Sequence, residues 1–577
     1  MRVSYVTTDA DARSKAAKLS TMAVLGIDIE TTGLDPRTDQ VRLLAAATLD
    51  GQVIVFDLFR VSVGSLAPLT RARWACHNAQ FEWQHLTHAG LAVPVLHDSM
   101  LLDRLVSHHN RKLADVAADH LGLVLDKELQ TSDWAAPELS TEQIEYCARD
   151  ALATLRICEK LLPRIDRAGQ RRLYDLWRYA VPLLAGLSLR GQSFDWEAHS
   201  HLIGHWAVEK ETLSQQLQDH LRGINYNSGP QIGSWLQDNL PTKAVKTWPK
   251  TGTGRLSTSA NTLALHADLP MVQPLLRYKA VQKLLSTYGM GWAKKRHPDT
   301  DRLHPSFGLG MTVSGRLACS GPNVQNPPRL TEFRELFIPP AGQVLIGADF
   351  SQIELRVAAL LSGDWNMLDA YRSGIDLHRK TAAAIAGCAV DAVTPQQRNG
   401  AKPVNFGNLY GQAAKGLAKQ AKLDYGVDMT TSDASQALLK FQMAYPQLEH
   451  WKRQQVAKAM QYRQVQTKLG LVRDFDAQHQ GYLKGEAQNC PVQGSAAEVL
   501  LASLVRLPDA LKGTDATLYH TVHDEIELAC SPDCADQAAA GLRSAMVDGF
   551  LDVFPEGAAL TNGLVDVHTG SSWAAVH

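Results

Sequence analysis

The sequence has few of the features that mark membrane, secreted or zinc-binding proteins. No run of about 18 apolar residues occurs, so we expect no transmembrane helix. The N-terminus lacks the apolar core of a signal peptide, and Asp9 and Asp11 argue against a transit peptide. The eight cysteines are scattered without a CxxC pair, and even the nearest two, Cys530 and Cys534, have a spacing that gives no reason to expect zinc. These absences favour a reducing, cytoplasmic compartment.

An excess of one charge is also missing from the chain as a whole. The sequence has 58 Lys and Arg residues and 59 Asp and Glu residues. This balance excludes a uniformly basic nucleic-acid coat. Residues 241–300 differ, because they hold ten Lys or Arg and only two acids, Asp268 and Asp299. One basic lobe on a neutral chain is typical of a protein that grips a phosphate backbone. A solvated helical surface would show the same excess, so both interpretations stay open.

Length and residue pattern predict several globular domains. The 577 residues suggest three or four domains, and a content of 45% hydrophobic and 20% charged residues is ordinary for packed proteins. About the first 165 residues alternate strand-like and helix-like runs, as an α/β unit does. The later pattern is mixed, with long helical runs and a β-rich hairpin at 517–530. We therefore predict an α/β plus α+β multidomain chain.

The first group of candidate metal ligands lies where a predicted buried strand ends. Alternation places Asp28 and Glu30 on one face, and adjacent carboxylates repel unless a cation lies between them. Glu82 begins one predicted helix, while Tyr146 and Asp150 share a face of another. If the four carboxylates converge, they can hold two divalent ions for phosphodiester cleavage, with Tyr146 orienting the attacking water. For the strand pair alone, a polar turn is the alternative.

The order DIETTGL, HNAQFE and YCARD resembles the three motifs of the DEDDy 3′–5′ exonuclease superfamily. The resemblance covers about residues 20–165 and implies a ribonuclease H-like domain. It implies that the four carboxylates bind metal and that Tyr146 is catalytic. Glu82 departs from the superfamily, which usually has Asp there, and the longer side chain leaves full proofreading open. An inactive structural domain is the alternative.

A second group of acids is spread over a long stretch of sequence. Asp349 ends a predicted strand, and Asp524 and Glu525 lie at the tip of the later hairpin, so only the fold can bring them together. Between them, residues 394–420 form a long helical run with a predicted break near Gly411, and its part 398–411 carries a cation or an aromatic ring at every fourth position. These residues are Arg398, Lys402, Phe406 and Tyr410. Such a stripe can hold phosphates at one end and stack on a base at the other, although a mixed packing face has the same spacing.

Three longer segments place both groups in one family. ADFSQIELR (348–356), RNGAKPVNFGNLYG (398–411) and TVHDEIE (521–527) resemble, in this order, motifs A, B and C of the family-A DNA polymerases, the polymerase I family. The resemblance extends to the C-terminus and implies a right-hand polymerase after the exonuclease. It implies template-directed addition of deoxynucleotides to a primer 3′ end by two-metal nucleotidyl transfer, with proofreading.

The resemblance also implies limits for the domains. The exonuclease domain would comprise residues 1–165 and the polymerase 166–577. Within the polymerase, the thumb would span about 205–290 and the fingers about 366–489. The palm would be the remainder, including 300–365 and 490–577.

Each motif residue receives a role from the same resemblance. Asp349, Asp524 and the Phe350 carbonyl would bind metal, Glu525 would assist, and Lys402 would also donate a proton to pyrophosphate. Residues expected to bind the nucleotide are Arg398, Lys402, Phe406, Tyr410, His378, Gln352 and Glu354, the last of which excludes a 2′-hydroxyl. Residues expected to contact the primer–template minor groove are Arg316, Asn323, Gln325, Asn326, Gln493 and His523. Gln397 stands where the family often has a second basic residue.

Cofactors and partners follow from the family. We expect two Mg²⁺ per active site, replaceable by Mn²⁺, and primer–template DNA and deoxynucleoside triphosphates as partners of a monomer. No membrane partner is expected. The chain begins almost at the exonuclease, which suggests a compact, bacteriophage-like enzyme in a bacterial or phage-infected host cytoplasm.

Two alternatives belong to other classes. One is a DEDDy 3′–5′ nuclease with a non-catalytic polymerase-like body, which the presence of Asp349, Lys402 and Asp524 disfavours. The other is a non-enzymatic primer–template binding protein. RNA synthesis is disfavoured because single-subunit RNA polymerases lack the DxSQIELR form.

Overall fold

The computed structural model of the protein describes residues 1–94, 96–126, 128–476 and 483–577. The N-terminal part is built on a six-stranded mixed sheet of order β1-β4-β3-β2-β5-β6. Its strands are β1 (Arg2–Val6), β2 (Val24–Thr31), β3 (Val41–Ala47), β4 (Gln52–Asp57), β5 (Arg73–Cys76) and β6 (Leu96–Asp98). Its helices are α1 (Asp9–Leu19), α2 (Gln80–His88), α3 (Ser99–Ser107), α4 (Leu113–Leu121) and α5 (Thr141–Arg167).

Helix α5 lies directly on the central strand β2. It begins with a capping box in which the Ser140 and Gln143 side chains satisfy each other's backbone N–H groups. Gly26 makes the close approach possible, because a Cβ there would lie 2.2 Å from the Ala151 carbonyl oxygen. Along β2, alternation continues this face to the predicted metal ligands. The packing of α5 on β2 therefore positions the first candidate site.

A helical segment leads from this domain into a lobe with its own hydrophobic core. The helices are α6 (Arg171–Arg190), α7 (Trp196–Gln218), α8 (Gly229–Asn239), α9 (Thr242–Thr247), α10 (Ala260–Leu263), α11 (Val272–Lys283) and α12 (Gly291–Ala293). Helix α6 contacts α2, so it joins the N-terminal domain to the rest of the chain. The lobe core includes Leu217, Ile232, Trp248 and Leu275, and it forms a cluster separate from the main core. This lobe contains most of the basic segment.

The part of the chain from residue 306 to 474 is mainly helical. Its strands are β7 (Ser306–Gly308), β8 (Ala318–Ser320), β9 (Val344–Phe350), β10 (Gln464–Gln466) and β11 (Val472–Asp474). Its helices are α13 (Thr331–Arg334), α14 (Ile353–Ser362), α15 (Trp365–Arg372), α16 (Leu377–Ala386), α17 (Pro395–Leu409), α18 (Ala414–Tyr425), α19 (Thr431–Ala444) and α20 (Pro446–Tyr462). Helix α17 begins with a Thr394–Gln397 capping box, and Gly411, with φ +69°, follows its end. The break predicted near Gly411 is confirmed.

The C-terminal part closes a four-stranded antiparallel sheet of order β12-β13-β9-β14. Its elements are α21 (Leu483–Ala510), β12 (Thr517–Val522), β13 (Glu525–Cys530), α22 (Ala535–Val553), β14 (Val565–Gly570) and α23 (Trp573–Val576). Strand β9 comes from far earlier in the chain and lies in the middle. This sheet positions the second candidate site.

The predicted domain limits at 165/166 and 365/366 cut the ends of α5 and α15, and two further limits fall well inside helices. Helix α7 runs through the limit at 204/205, and α21 runs through the limit at 489/490. Each of these helices therefore belongs to two of the lobes as we delimited them. Among the described residues, no helix is both long and apolar enough to cross a bilayer.

Candidate active sites

The palm sheet brings the second group of acids together. Strands β9 and β13 are antiparallel neighbours in which Asp349 lies directly opposite Glu525. The Phe350 backbone N–H donates to the Asp524 carbonyl oxygen over 3.3 Å. His523, with φ +54°, turns the chain between β12 and β13 and places Asp524 at the same end of the sheet. Four residues predicted to serve metal chemistry thus meet at the ends of two paired strands.

The electrostatics of this cluster suit a divalent cation. Part of the Asp349 side chain is exposed to solvent, but the protein atoms packed around its carboxyl group partly desolvate it, and this desolvation together with the charges of Asp524 and Glu525 raises its pKa to about 8. Burial and the charge of Glu354 raise the pKa of Asp524 to about 6. Carboxylates raise one another's pKa because they repel each other when ionised, and a bound cation offsets that repulsion. Oxygen ligands of this kind are the ones that Mg²⁺ prefers.

Two further features of this cluster were not foreseen from the sequence. Glu525 accepts hydrogen bonds from Trp573 Nε1 at 3.1 Å and from His577 Nδ1 at 3.0 Å, which turn the carboxylate toward the C-terminal helix. Asp566 on β14 lies opposite Asp349 on the other side of β9 and adds to the negative charge. No local sequence pattern marks Asp566, since only the sheet register makes it a neighbour.

Helix α17 carries the predicted stripe, and the structure adds partners to it. Arg398 pairs with Asp376 at 2.6 Å, an anchor that sequence reasoning missed. The rings of Phe406 and Tyr410 stack with centroids 6.3 Å apart. Lys402, between these ends, is half-buried. The stripe thus has a cationic end and an aromatic end, as the spacing predicts.

His378 is more deeply placed than a simple phosphate contact would be. Its side chain is 4% exposed, and its Nδ1 lies 2.6 Å from the Asn405 Nδ2. Burial lowers its pKa to about 4, so the imidazole is neutral at pH 7. Its ring lies 5.9 Å from that of Phe406. In this arrangement His378 packs beside the stripe.

Glu354 is the centre of a buried polar contact. Its two carboxylate oxygens accept from Arg316 Nη2 at 2.5 Å and from the Tyr410 hydroxyl. Burial and the Glu354 charge raise the pKa of Tyr410, so the phenol remains a donor. Gln352, in the left-handed conformation just before α14, accepts from the Tyr371 hydroxyl at 3.2 Å. Arg316, predicted as a DNA contact, is thereby also joined to Glu354, which is predicted to bind the nucleotide.

The other predicted DNA contacts lie in two environments. Asn323 and Asn326 are exposed on one loop, His523 is exposed at the hairpin tip, and Gln493 is half-buried on α21. Gln325 is buried instead, and its amide donates to the Thr521 carbonyl at 3.3 Å. Arg316, Gln325 and His523 nevertheless line one small cavity. The loop and the β12–β13 hairpin therefore meet at this cavity.

The basic segment is a surface feature of the thumb lobe. Nine of its ten cations are exposed, and the exception, Lys279, is half-buried, which lowers its pKa. Arg277 pairs with Glu209 through two bonds of 2.5 and 2.8 Å. Most of the remaining positive charge faces water. Exposed charge of one sign, separate from the two groups of candidate metal ligands, can attract a phosphate backbone.

The first group of acids also converges. Ligand atoms of Asp28, Glu30 and Cys147 lie within 4.8 Å of one another. All four predicted carboxylates and Tyr146 line one cleft of about 1220 Å³. Residues of β7 and β8, which lie outside the N-terminal domain, also line this cleft. Burial and the Asp150 charge raise the pKa of Tyr146, so this phenol keeps its proton.

Glu82 stands at the position where the exonuclease motif usually has Asp. Its side chain is 4% exposed, and its Oε2 has no hydrogen-bond partner among the described residues. Burial and the Asp28 charge raise its pKa well above the ordinary value. A buried carboxylate oxygen without a partner is costly unless a cation binds it. Glu82 therefore fits a metal-binding role in this cleft.

Asp98 supports this motif and was not recognised from the sequence. Its buried carboxylate accepts from four backbone N–H groups, two at the start of α3 and two just before α2. It therefore caps α3 and fixes the turn from which α2 and Glu82 start. The sequence marks Asp98 only as an acid at the start of a helical run.

Comparisons with known proteins cover both halves of the chain. The sequence model described as DNA polymerase family A matches residues 197–575, and the one described as 3′–5′ exonuclease matches residues 3–166. DNA polymerase I of Aquifex aeolicus is 29% identical over 568 residues, or 95% of this chain and 96% of its own length. DNA polymerase I of Pseudomonas aeruginosa is also 29% identical, over 97% of this chain and 64% of its own. The thermostable DNA polymerase I of Thermus aquaticus is 32% identical, over 78% and 54%.

The chain thus spans almost all of one of these relatives but about half to two thirds of the others. Among solved structures, the polymerase domain of Pol1 from M. smegmatis, in complex with DNA primer-template and dNTP, superposes with a TM-score of 0.86. The identity is 24%, and the whole of both chains is covered. This likeness shows the fold.

Proposed function

Because the chain belongs to DNA polymerase family A and carries a 3′–5′ exonuclease domain at its N-terminus, we propose that it extends primers on a DNA template and proofreads them. The observation that carries the proposal is the register of β9 and β13. It places Asp349 beside the Asp524–Glu525 turn, although the two lie far apart in sequence. Helix α17, whose stripe can hold a triphosphate, contacts α14, the helix that directly follows β9.

Two divalent metal ions, for which we propose Mg²⁺ with Mn²⁺ as a substitute, would supply charge neutralisation and activation of the primer 3′-oxygen. Asp349, Asp524 and the Phe350 carbonyl would hold them. Glu525, whose carboxylate is oriented by Trp573 and His577, would assist these metal ligands as an additional negative charge. Such groups act by position and charge, because phosphoryl transfer depends mainly on alignment and electrostatic stabilisation.

The incoming nucleotide would lie along α17. Arg398 and Lys402 would hold its phosphates, and Lys402 would also donate a proton to the departing pyrophosphate. Phe406 and Tyr410 would stack on the base, with His378 packed behind them. The buried Glu354 would close against the sugar and exclude a 2′-hydroxyl, with Gln352 at the start of the same helix.

DNA would be held by shape and charge. Arg316, Asn323, Gln325, Asn326, Gln493 and His523 would border the minor groove of the primer–template. Acceptors there are alike for all base pairs, so these side chains can check shape without reading sequence. The exposed cations of residues 241–300 would grip the backbone.

The exonuclease cleft would shorten a mispaired primer. Asp28, Glu30, Glu82 and Asp150 would hold two divalent ions, and the protonated Tyr146 would orient the attacking water. The enzyme would act as a monomer in a reducing cytoplasm. All eight cysteines lie in the described part of the chain and carry free thiols, which agrees with that compartment.

A 5′-labelled primer on a longer template, resolved on a sequencing gel with Mg²⁺, tests both activities. We expect extension with the four deoxynucleotides and shortening without them. Asp524→Asn should abolish extension and retain shortening, whereas Asp150→Asn should do the reverse. These two variants serve as each other's control. Shortening in every lane, with no extension by the wild type, would refute the polymerase and favour a nuclease with a non-catalytic body.

A further inference from the structure

Lys452 on α20 is a buried cation that neither of the two active sites uses. The residue is 4% exposed, and its Nζ donates to the Asn408 carbonyl at 2.7 Å. The same ammonium donates to Asn408 Oδ1 at 2.7 Å and to Glu449 Oε1 at 3.0 Å. An ammonium has three N–H groups, so all of them are engaged within the protein. Lys452 therefore has no donor left for a substrate.

Asn408 lies in the last turn of α17, two residues before Tyr410. Its carbonyl also accepts from the Gly411 backbone N–H at 3.0 Å, and Gly411 adopts a left-handed φ of +69°. The last carbonyls of a helix lack partners within the helix and carry partial negative charge. A cation that bonds to them stabilises that end. Lys452 thus fixes the turn in which the nucleotide helix ends.

Helix α20 contacts the two segments that carry the Tyr410–Glu354 hydrogen bond. It packs against α14, which carries Glu354, and through Lys452 it holds the end of α17, which leads into Tyr410. The Tyr410 hydroxyl donates to Glu354. The position of the hydroxyl relative to the carboxylate therefore depends on where α20 holds the α17 terminus.

Packing alone does not require a charge at position 452. Replacing a buried ion pair by apolar residues of similar size is often neutral or stabilising, because desolvation offsets the attraction. Asn408 is 3% exposed and Glu449 is 9% exposed, so the ion pair lies almost wholly out of water. What the lysine supplies beyond packing is direction, since it fixes both oxygens of one residue at the helix end.

We propose that Lys452 is a positioning residue for nucleotide selection, whose bonds to Asn408 set the end of α17 and hence the Tyr410–Glu354 contact. The proposal rests on the proposed polymerase function. It assigns Lys452 to the choice of deoxynucleotides over ribonucleotides. It leaves the metal-binding carboxylates and the exonuclease untouched.

Single-nucleotide incorporation by Lys452→Met tests the assignment. We expect KM for the correct deoxynucleotide to rise about tenfold, the effect of losing one charge-assisted hydrogen bond at a helix end. The preference for deoxynucleotide over ribonucleotide should fall at the same time, because the Tyr410–Glu354 contact is displaced. The Kd for primer–template and the shortening of a primer without nucleotides should stay unchanged.

Lys440→Met is the matched control. Lys440 also donates to a main-chain carbonyl of a neighbouring helix, that of Ile385, but it does not bond to α17. We expect wild-type KM and wild-type sugar preference for this variant. Equal changes in both variants would show a general loosening of the helical lobe and would overturn the proposal.

Lys452→Met leaves Glu449 buried without its cation, which can destabilise the lobe. The double variant Lys452→Met/Glu449→Leu removes both charges, and Asn408→Ala removes one acceptor while the ion pair stays. Thermal unfolding identifies the folded variants, and primer shortening reports on the separate exonuclease domain. A folded double variant with wild-type KM and sugar preference would overturn the proposal, as would an unchanged Asn408→Ala. Failure of the wild type to extend primers would instead refute the polymerase function itself.

Discussion

Gly26→Ala should disable the exonuclease without removing any of its proposed ligands. Gly26 lies on β2 on the same face as Asp28 and Glu30, and this face packs against α5, which carries Tyr146 and Asp150. A Cβ at this position would lie 2.2 Å from the Ala151 carbonyl oxygen and 2.7 Å from the Leu155 Cβ. The added methyl group therefore forces β2 and α5 apart.

The size of the effect follows from these distances. Real Cβ contacts do not fall below 3.0 Å, so the two elements must separate by at least about 0.8 Å. A misplacement of about 1 Å costs on the order of a hundredfold in rate when catalytic groups act by alignment. Overpacking should also lower the free energy of unfolding by about 1–3 kcal/mol. The palm sheet is a separate structure, so primer extension should be unchanged.

Primer shortening without nucleotides and primer extension with them measure the two rates on the same preparation. Gly204→Ala is the control, because a Cβ there meets no atom within 4 Å on an ordinary helical residue. It should leave both rates unchanged and slightly increase stability, as expected for Ala in place of helical Gly. Wild-type shortening by Gly26→Ala would refute the inference that β2–α5 packing sets the site. Equal loss of both activities would indicate global unfolding instead.

The remaining predictions concern the polymerase and the stability of the chain. Glu354→Ala should lower the preference for deoxynucleotides over ribonucleotides by about tenfold or more, measured by competing dNTP and rNTP incorporation. The substitution removes the carboxylate that we propose to exclude a 2′-hydroxyl, together with its hydrogen bonds from Arg316 and Tyr410. Asp349→Asn should abolish extension and keep shortening, measured on the same gel. Chelation of divalent cations by EDTA should stop both activities, and Mg²⁺ should restore them; activity that survives chelation would contradict both proposed metal sites. Glu498, which accepts from the Thr467 hydroxyl and the Leu469 N–H at 3.0 Å, has its pKa raised by burial from 4.5 to about 8. The unfolded chain ionises this group first, so stability should fall as pH rises from about 4.5 to about 8, and Tm of Glu498→Gln should fall less over that range.

Much of the fold could be predicted from local sequence. The buried strand of β2, the helix α5 and the break after α17 were expected from apolar runs, helical spacing and glycine, and the structure has all three. Such features depend on neighbours within a few positions, which is why the sequence alone is sufficient for them. The predicted stripe on α17 belongs to the same class, since a spacing of four residues keeps its members on one side of a helix.

The partners of those residues were a different matter. Asp376 at Arg398, Trp573 and His577 at Glu525, and Asp566 beside Asp349 were not expected. Each joins segments that are distant in the sequence or unmarked by any periodicity. A single sequence contains no signal for which of its many acids and aromatic residues will face a given side chain.

Domain limits show the same division. The charge excess of residues 241–300 indicated a separate lobe, and the lobe has its own core. The limits drawn at 204/205 and 489/490 nevertheless cut α7 and α21, because one long helix can pack its two ends in different lobes. Composition changes where the environment changes, and a helix can continue across that point.

By itself the sequence determined the candidate residues for the chemistry: two sets of carboxylates, a helix with cations and aromatic rings at every fourth position, and a cationic segment. These are properties of residue type and short-range spacing, which the chain retains in any conformation. Only the tertiary structure decided how the groups meet. The register of β9 against β13 places Asp349 opposite Glu525, and the close approach of α5 to β2 assembles the exonuclease cleft. Such contacts form because burying apolar surface fixes the relative positions of distant segments. The free energy of that packing depends on the whole chain, so the sequence of a single segment does not determine it.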